Sequence, residues 1–119
     1  MKKPPDSDAF LPLKPHWFHV LLSLADDDRH GYGIMQEVAR QSEGQYKLGP
    51  GTLYDNLQKL IERRLVQPIG GRGGDDDPRR RYYRISPLGK AVLSVEVERL
   101  ETLVHEAKLR LEPARPRRA

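Results

Sequence analysis

Thr52, Tyr54, Asn56 and Lys59 stand in one short stretch opened by Gly49-Pro50-Gly51, and their types suit hydrogen bonding to base edges and phosphates. Gly49 as N-cap and Pro50 at the first helical position start a helix here. Gly51 lets the backbone approach DNA closely, because glycine leaves it open, and Pro50 stands beside it on the same DNA-contacting turn. Thr52 can bond a base edge or a phosphate and offer its methyl group to thymine. Asn56 is of the type that pairs bidentately with adenine, Lys59 would reach the phosphate backbone, and the Tyr54 hydroxyl a phosphate. The plainer alternative is that Gly51 and Thr52 only start a helix and that Tyr54 packs. A second cluster is basic: Arg79, Arg80, Arg81 and Arg84 would grip phosphates or enter a minor groove, unless they balance Asp75, Asp76 and Asp77 just upstream. Tyr32 opens another helix, whose positive end faces phosphate naturally; its alternative is a core tyrosine.

Other chemistries find less support. His16, His19, His30 and His105 invite a metal reading, and His16 and His19 are one helical turn apart. Zinc wants a third protein ligand, and no matching cluster accompanies them, so no metal and no cofactor is expected. No nucleophile, base and orienting group come together and no phosphate loop is present, which argues against an enzyme.

The elements that must position these residues follow from periodicity. Trp17, Val20, Leu21 and Leu24 make a first helix from Pro15 to about Ala25. Asp26 to Gly31 reads as a polar turn. A second helix runs from about Gly31 to Ser42 with Ile34, Met35, Val38 and Ala39 on one side. The third carries Leu53, Leu57, Leu60 and Ile61 as an apolar stripe, with Thr52, Asp55, Asn56, Lys59 and Arg63 opposite. Two short strands, Leu65–Ile69 and Arg81–Ile85, flank the glycine-rich loop 70–78 and make a wing on a helix-turn-helix. After Ser86-Pro87 comes the longest helix, to about Leu111, whose Leu93, Val97, Leu100, Val104, Ala107 and Leu111 form a heptad-like seam. So small a domain cannot cover that seam, and a second copy is the simplest acceptor; folding back on its own domain is the alternative. Trp17 would then either line a cavity between protomers or pack in the core.

The fold class expected is therefore mainly α with a small β-wing: a winged helix-turn-helix plus a long C-terminal dimerisation helix. Residues 1–14 read as a flexible arm, with Phe10, Leu11 and Leu13 placed to pack on the body. The head spans 15–86, the dimerisation helix 87–111 and a disordered basic tail 112–119.

Bulk properties agree. With 119 residues the chain suits one domain. Its 37% hydrophobic content is lean enough to suggest a core completed by a second copy. The net charge of +4 favours polyanions. No cysteine is present, no apolar run approaches the roughly 20 residues that span a bilayer, and the polar N-terminus lacks a signal peptide, so a cytoplasmic home without membrane contact is expected.

Finally, His30-Gly31-Tyr32-Gly33-Ile34, Gly51-Thr52-Leu53-Tyr54, Leu57, Leu60, Arg81-Tyr82-Tyr83-Arg84-Ile85-Ser86 and Gly89, in that order and spacing, resemble the PadR family of bacterial transcriptional regulators. The single C-terminal helix resembles its short subfamily. The resemblance implies a homodimer joined by the last helix, with help from the first, and two heads on double-stranded DNA, acting as a repressor on an inverted-repeat operator. Some relatives release DNA on binding phenolic acids or drug-like cations, so a small aromatic or drug-like effector is an implied partner. Two departures stand out: Arg64 occupies a position where the family commonly has glycine, which predicts a differently shaped turn, and Asp55 follows Tyr54 where proline is frequent. A winged-helix module that binds protein and never DNA is the competing function.

Overall fold

A computed structural model describes residues 7–70 and 81–113. The loop 71–80 with Arg79 and Arg80, the first six residues and the tail from 114 on lie outside the described residues. The described elements run α1 (Pro15–Leu24), β1 (Arg29–His30), α2 (Gly31–Gln41), α3 (Pro50–Glu62), β2 (Val66–Ile69), β3 (Tyr82–Ile85) and α4 (Pro87–Leu111), after a 3-10 turn over Ser7–Phe10. The strands make one antiparallel sheet in the order β1-β3-β2.

β1 corrects the reading of residues 26–31 as a turn alone. Its two residues are too short to show any period. It exists by pairing, Arg29 opposite Tyr83 and His30 opposite Tyr82. The pairing also aligns α2, because His30 is that helix's N-cap and its Nδ1 accepts the Gly33 N–H at 3.0 Å.

The apolar stripes converge on one core. Val20, Leu21 and Leu24 of α1 meet Ile34 and Val38 of α2, Leu53, Leu57 and Leu60 of α3, and Val92 of α4, all buried. Burying each of these side chains stabilises the fold by about 1.5–3 kcal/mol. His19 and His16 lie outside this core on Tyr46, the first stacked at 3.9 Å between ring centres, the second edge-on with its Nδ1 hydrogen-bonded to the phenol. Burial, with His16 a turn away, holds the His19 imidazole below its ordinary pKa.

Both α2 and α3 end in the same way. The N–H of Gly44 reaches the Ala39 carbonyl at 2.7 Å and that of Leu65 the Leu60 carbonyl at 2.9 Å, the two-bond closure that needs a left-handed residue just past the helix. Glu43 (φ 53°) and Arg64 (φ 63°) supply it. Arg64 thus keeps the turn that a glycine would make, which corrects the expectation of a differently shaped one. An arginine in this conformation costs about 1–2 kcal/mol, and a glycine would lose about 0.5–1 kcal/mol of chain entropy instead. Arg64→Gly is expected to raise the urea midpoint slightly, by up to about 1 kcal/mol of stability. A lowered midpoint would show that the arginine side chain outweighs the backbone there.

α4 starts on Ser86, whose Oγ accepts the Gly89 N–H at 2.9 Å and donates to the Arg64 carbonyl at 2.7 Å. Gly89 lies directly on the Leu65 carbonyl, with Ile85 Cγ1 2.9 Å from where a Cβ would stand. The first half of α4 belongs to the protomer's own core: Val92, Leu93 and Glu96 are buried. Leu93 therefore drops out of the expected dimer seam, since the head beside it already covers it. Residues 101–111 are all exposed.

The arm expected over 1–14 is, where described, part of the body. Leu13 is buried and its N–H donates to Glu96 Oε2 at 2.8 Å. The Arg99 guanidinium holds the buried Glu96 carboxyl below the usual carboxylate range, aided by the Leu13 N–H and opposed by desolvation.

Candidate nucleic-acid interface

α3 turns Leu53, Leu57 and Leu60 inward, and this fixes what its first turn shows to solvent: Pro50, Gly51 and Thr52 are exposed. Tyr54 is 36% exposed, with its phenol lying against the α carbon of Gly31, so a side chain at position 31 would collide with it. Tyr32, the next residue, is 62% exposed. The starts of α2 and α3 thereby present two tyrosines and a threonine side by side, over two helix N-termini that carry partial positive charge. Exposed Lys47, on the approach to α3, was not singled out from the sequence, where one lysine in a polar turn carries no signal.

Three expected site residues are placed differently. Asn56 is buried, not exposed on the outer face of α3. Its Oδ1 accepts the Trp17 indole N–H at 3.1 Å, and its Nδ2 donates to the Thr52 carbonyl at 2.7 Å. The position borders the Leu53–Leu57–Leu60 stripe, and a partner 39 residues away pulls it inward. Trp17, expected either at the dimer interface lining a cavity or in the core, is 5% exposed and takes the second place, with the charges of Lys14 and Arg63 at 5.0 and 5.9 Å from its ring centre. Arg84 is held by Asp28, donating from Nε at 3.1 Å and from Nη2 at 2.8 Å. Continuing the β1–β3 register by one residue sets 28 across from 84, and the ion pair between them balances this arginine's charge.

The remaining cations divide. Lys59 pairs with Asp55 one turn before it at 3.1 Å, both exposed. Such a pair contributes little and exchanges readily for another anion. Arg81 is exposed at the foot of the wing. Among the described residues no three His, Cys, Asp or Glu side chains gather to hold a metal ion, and no helix is long and apolar enough to cross a membrane.

Three helices with the third offering its first turn, followed by a β2–β3 wing and a long last helix, make a winged helix-turn-helix. The family model of the transcriptional regulator PadR-like family matches residues 20–95, and the chain belongs to that family. It is 35% identical over 88 residues to the transcriptional regulator Rv3488 of Mycobacterium tuberculosis, covering 74% of this chain and 78% of that one. A PadR family transcription regulator from Clostridium difficile R20291 superposes with a TM-score of 0.67 at 18% identity, over 84% of this chain and 100% of that one. BpsR of Bordetella bronchiseptica, whose DNA binding is regulated by 6-hydroxynicotinic acid, superposes with a TM-score of 0.64 at 19% identity, over 96% and 74%.

Proposed function

We propose that the chain is a cytoplasmic, sequence-specific repressor that binds an inverted-repeat operator as a homodimer. The observation that carries the reading is the exposed first turn of α3, Pro50-Gly51-Thr52, set beside Tyr54 and Tyr32. α3 enters the major groove with Thr52 on a base edge. Tyr54, Tyr32, Lys47 and Lys59 hold phosphates, and the wing's Arg79, Arg80 and Arg81 take the backbone alongside. Val97, Leu100, Val104, Ala107 and Leu111 join two copies and set half-sites about one helical turn, 34–36 Å, apart or a multiple of it.

A groove of ≈ 490 Å³ between Phe18 of α1 and Val97, Leu100 and Val104 of α4 lies on the face proposed to join the two copies, so a small aromatic effector would be held there between protomers. BpsR, similar in fold, is the precedent for regulation of that kind.

The test starts from a duplex selected by the wild-type protein out of a randomised pool. Thr52→Ala, which removes the base contact and leaves the phosphate-holding tyrosines in place, is expected to weaken that duplex about 10-fold while random duplex is bound as before. Equal weakening of both duplexes would remove the base-reading role from the first turn of α3. The second reading, a winged-helix module for protein partners only, draws support from Asp55 and Asp28 occupying Lys59 and Arg84. Salt separates the two: binding through phosphates should fall with a slope of about −0.9 per phosphate neutralised.

A further inference from the structure

We propose that Trp17 is a positioning residue for DNA reading, acting on the first turn of α3 through Asn56. The inference rests on α3 being the reading helix. Three observations carry it. A buried asparagine is costly unless its polar atoms are satisfied, and here both are, in series: Trp17 Nε1 donates to Asn56 Oδ1, and Asn56 Nδ2 donates to the Thr52 carbonyl. The carbonyl reached belongs to the first turn of α3, whose residues Pro50, Gly51 and Thr52 are exposed. The donor comes from α1, so the relay ties the exposed turn to another helix.

An amide can turn about its last bond, exchanging oxygen for nitrogen. An indole N–H cannot accept, so Trp17 permits one orientation of Asn56 only. With that orientation fixed, the Thr52 carbonyl receives a second donor besides its helical one, and the turn bearing the Thr52 side chain is held at one angle. A phenylalanine at 17 would fill most of the indole's space, leave the Asn56 oxygen without its donor, and free the amide to turn. Base contacts depend on sub-ångström placement, whereas phosphate contacts tolerate shifts. Loss of the relay therefore acts on specificity ahead of affinity for DNA in general.

Two variants and one spectrum test this. Trp17→Phe is expected to lower affinity for the selected duplex about tenfold, with random duplex unchanged. Trp17→Phe with Asn56→Leu removes both ends of the bond, so thermal stability should return towards wild type while the loss of specificity remains. If specificity returns together with stability, the pair is only core packing and the proposal is overturned. Trp17 is the sole tryptophan, so one indole N–H cross-peak reports the bond directly. Asn56→Leu should move that peak, and an unmoved peak overturns the relay. Failure of the underlying reading shows separately: wild-type protein that enriches no duplex from the pool removes DNA reading and this inference with it.

Discussion

Val104→Asp is expected to convert a dimer into a folded monomer. In the single chain Val104 is 51% exposed, and Leu103, Leu109 and Leu111 are 53%, 49% and 82% exposed on the same half-helix. Among the described residues none buries them, so an aspartate at 104 faces water in the monomer and leaves the head intact. In a seam it would be a buried, unpaired charge costing several kcal/mol, on top of the lost valine contacts of about 1.5–3 kcal/mol. Sedimentation should show the wild type as a dimer and the variant as a monomer with unchanged helix content in circular dichroism. Two tethered heads gain through effective concentration, so the variant should also bind an inverted repeat at least about 100-fold more weakly. A wild type that sediments as a monomer at micromolar concentration would end the dimer reading.

Gly89→Ala is expected to destabilise the fold by about 1–3 kcal/mol although it adds only a methyl group. Alanine is the better helix former by about 1 kcal/mol, so propensity alone predicts a gain. Sterics point the other way. The new methyl would stand inside contact distance of the Leu65 carbonyl oxygen, 3.1 Å from its carbon and 2.9 Å from Ile85 Cγ1. A side chain could rotate away, but a carbonyl that accepts the Ser86 N–H at 3.0 Å cannot move without breaking that bond. Overpacking of this kind costs about 1–3 kcal/mol, and the lost bond about 1 kcal/mol more. The net effect should be a fall in melting temperature of roughly 10 °C. An alanine variant that melts with the wild type would show that α4 is not seated on the Leu65 carbonyl as described.

What could be read from the sequence was local. Gly49-Pro50 and Ser86-Pro87 start helices where expected, and the Leu53–Leu57–Leu60 stripe faces the core, because caps and stripes are written within a few residues. What could not be read depends on residues far apart. β1 exists only against β3, and with it comes the pairing of Asp28 with Arg84. Asn56 turns inward because of Trp17. Leu93 belongs to the same heptad series as Val104, yet it is buried while Val104 is not. The helix leaves the head between them, and periodicity does not mark that point. Arg64 shows the converse: its type misleads about the turn, because the bonding demands of a helix end override its preference.

The seating of Gly89 on the Leu65 carbonyl makes α4 a lever with its fulcrum at the root of the wing. From Gly89 to Leu111 the helix rises about 1.5 Å per residue, which gives an arm of about 33 Å. A tilt of about 5° at the fulcrum sweeps the far end through about 3 Å, and the reverse holds. A displacement imposed at Leu111 would be taken up first where Val92, Leu93 and Glu96 seat in the core, and what passes them would reach Leu65 directly, because at Gly89 no side chain stands between the two backbones.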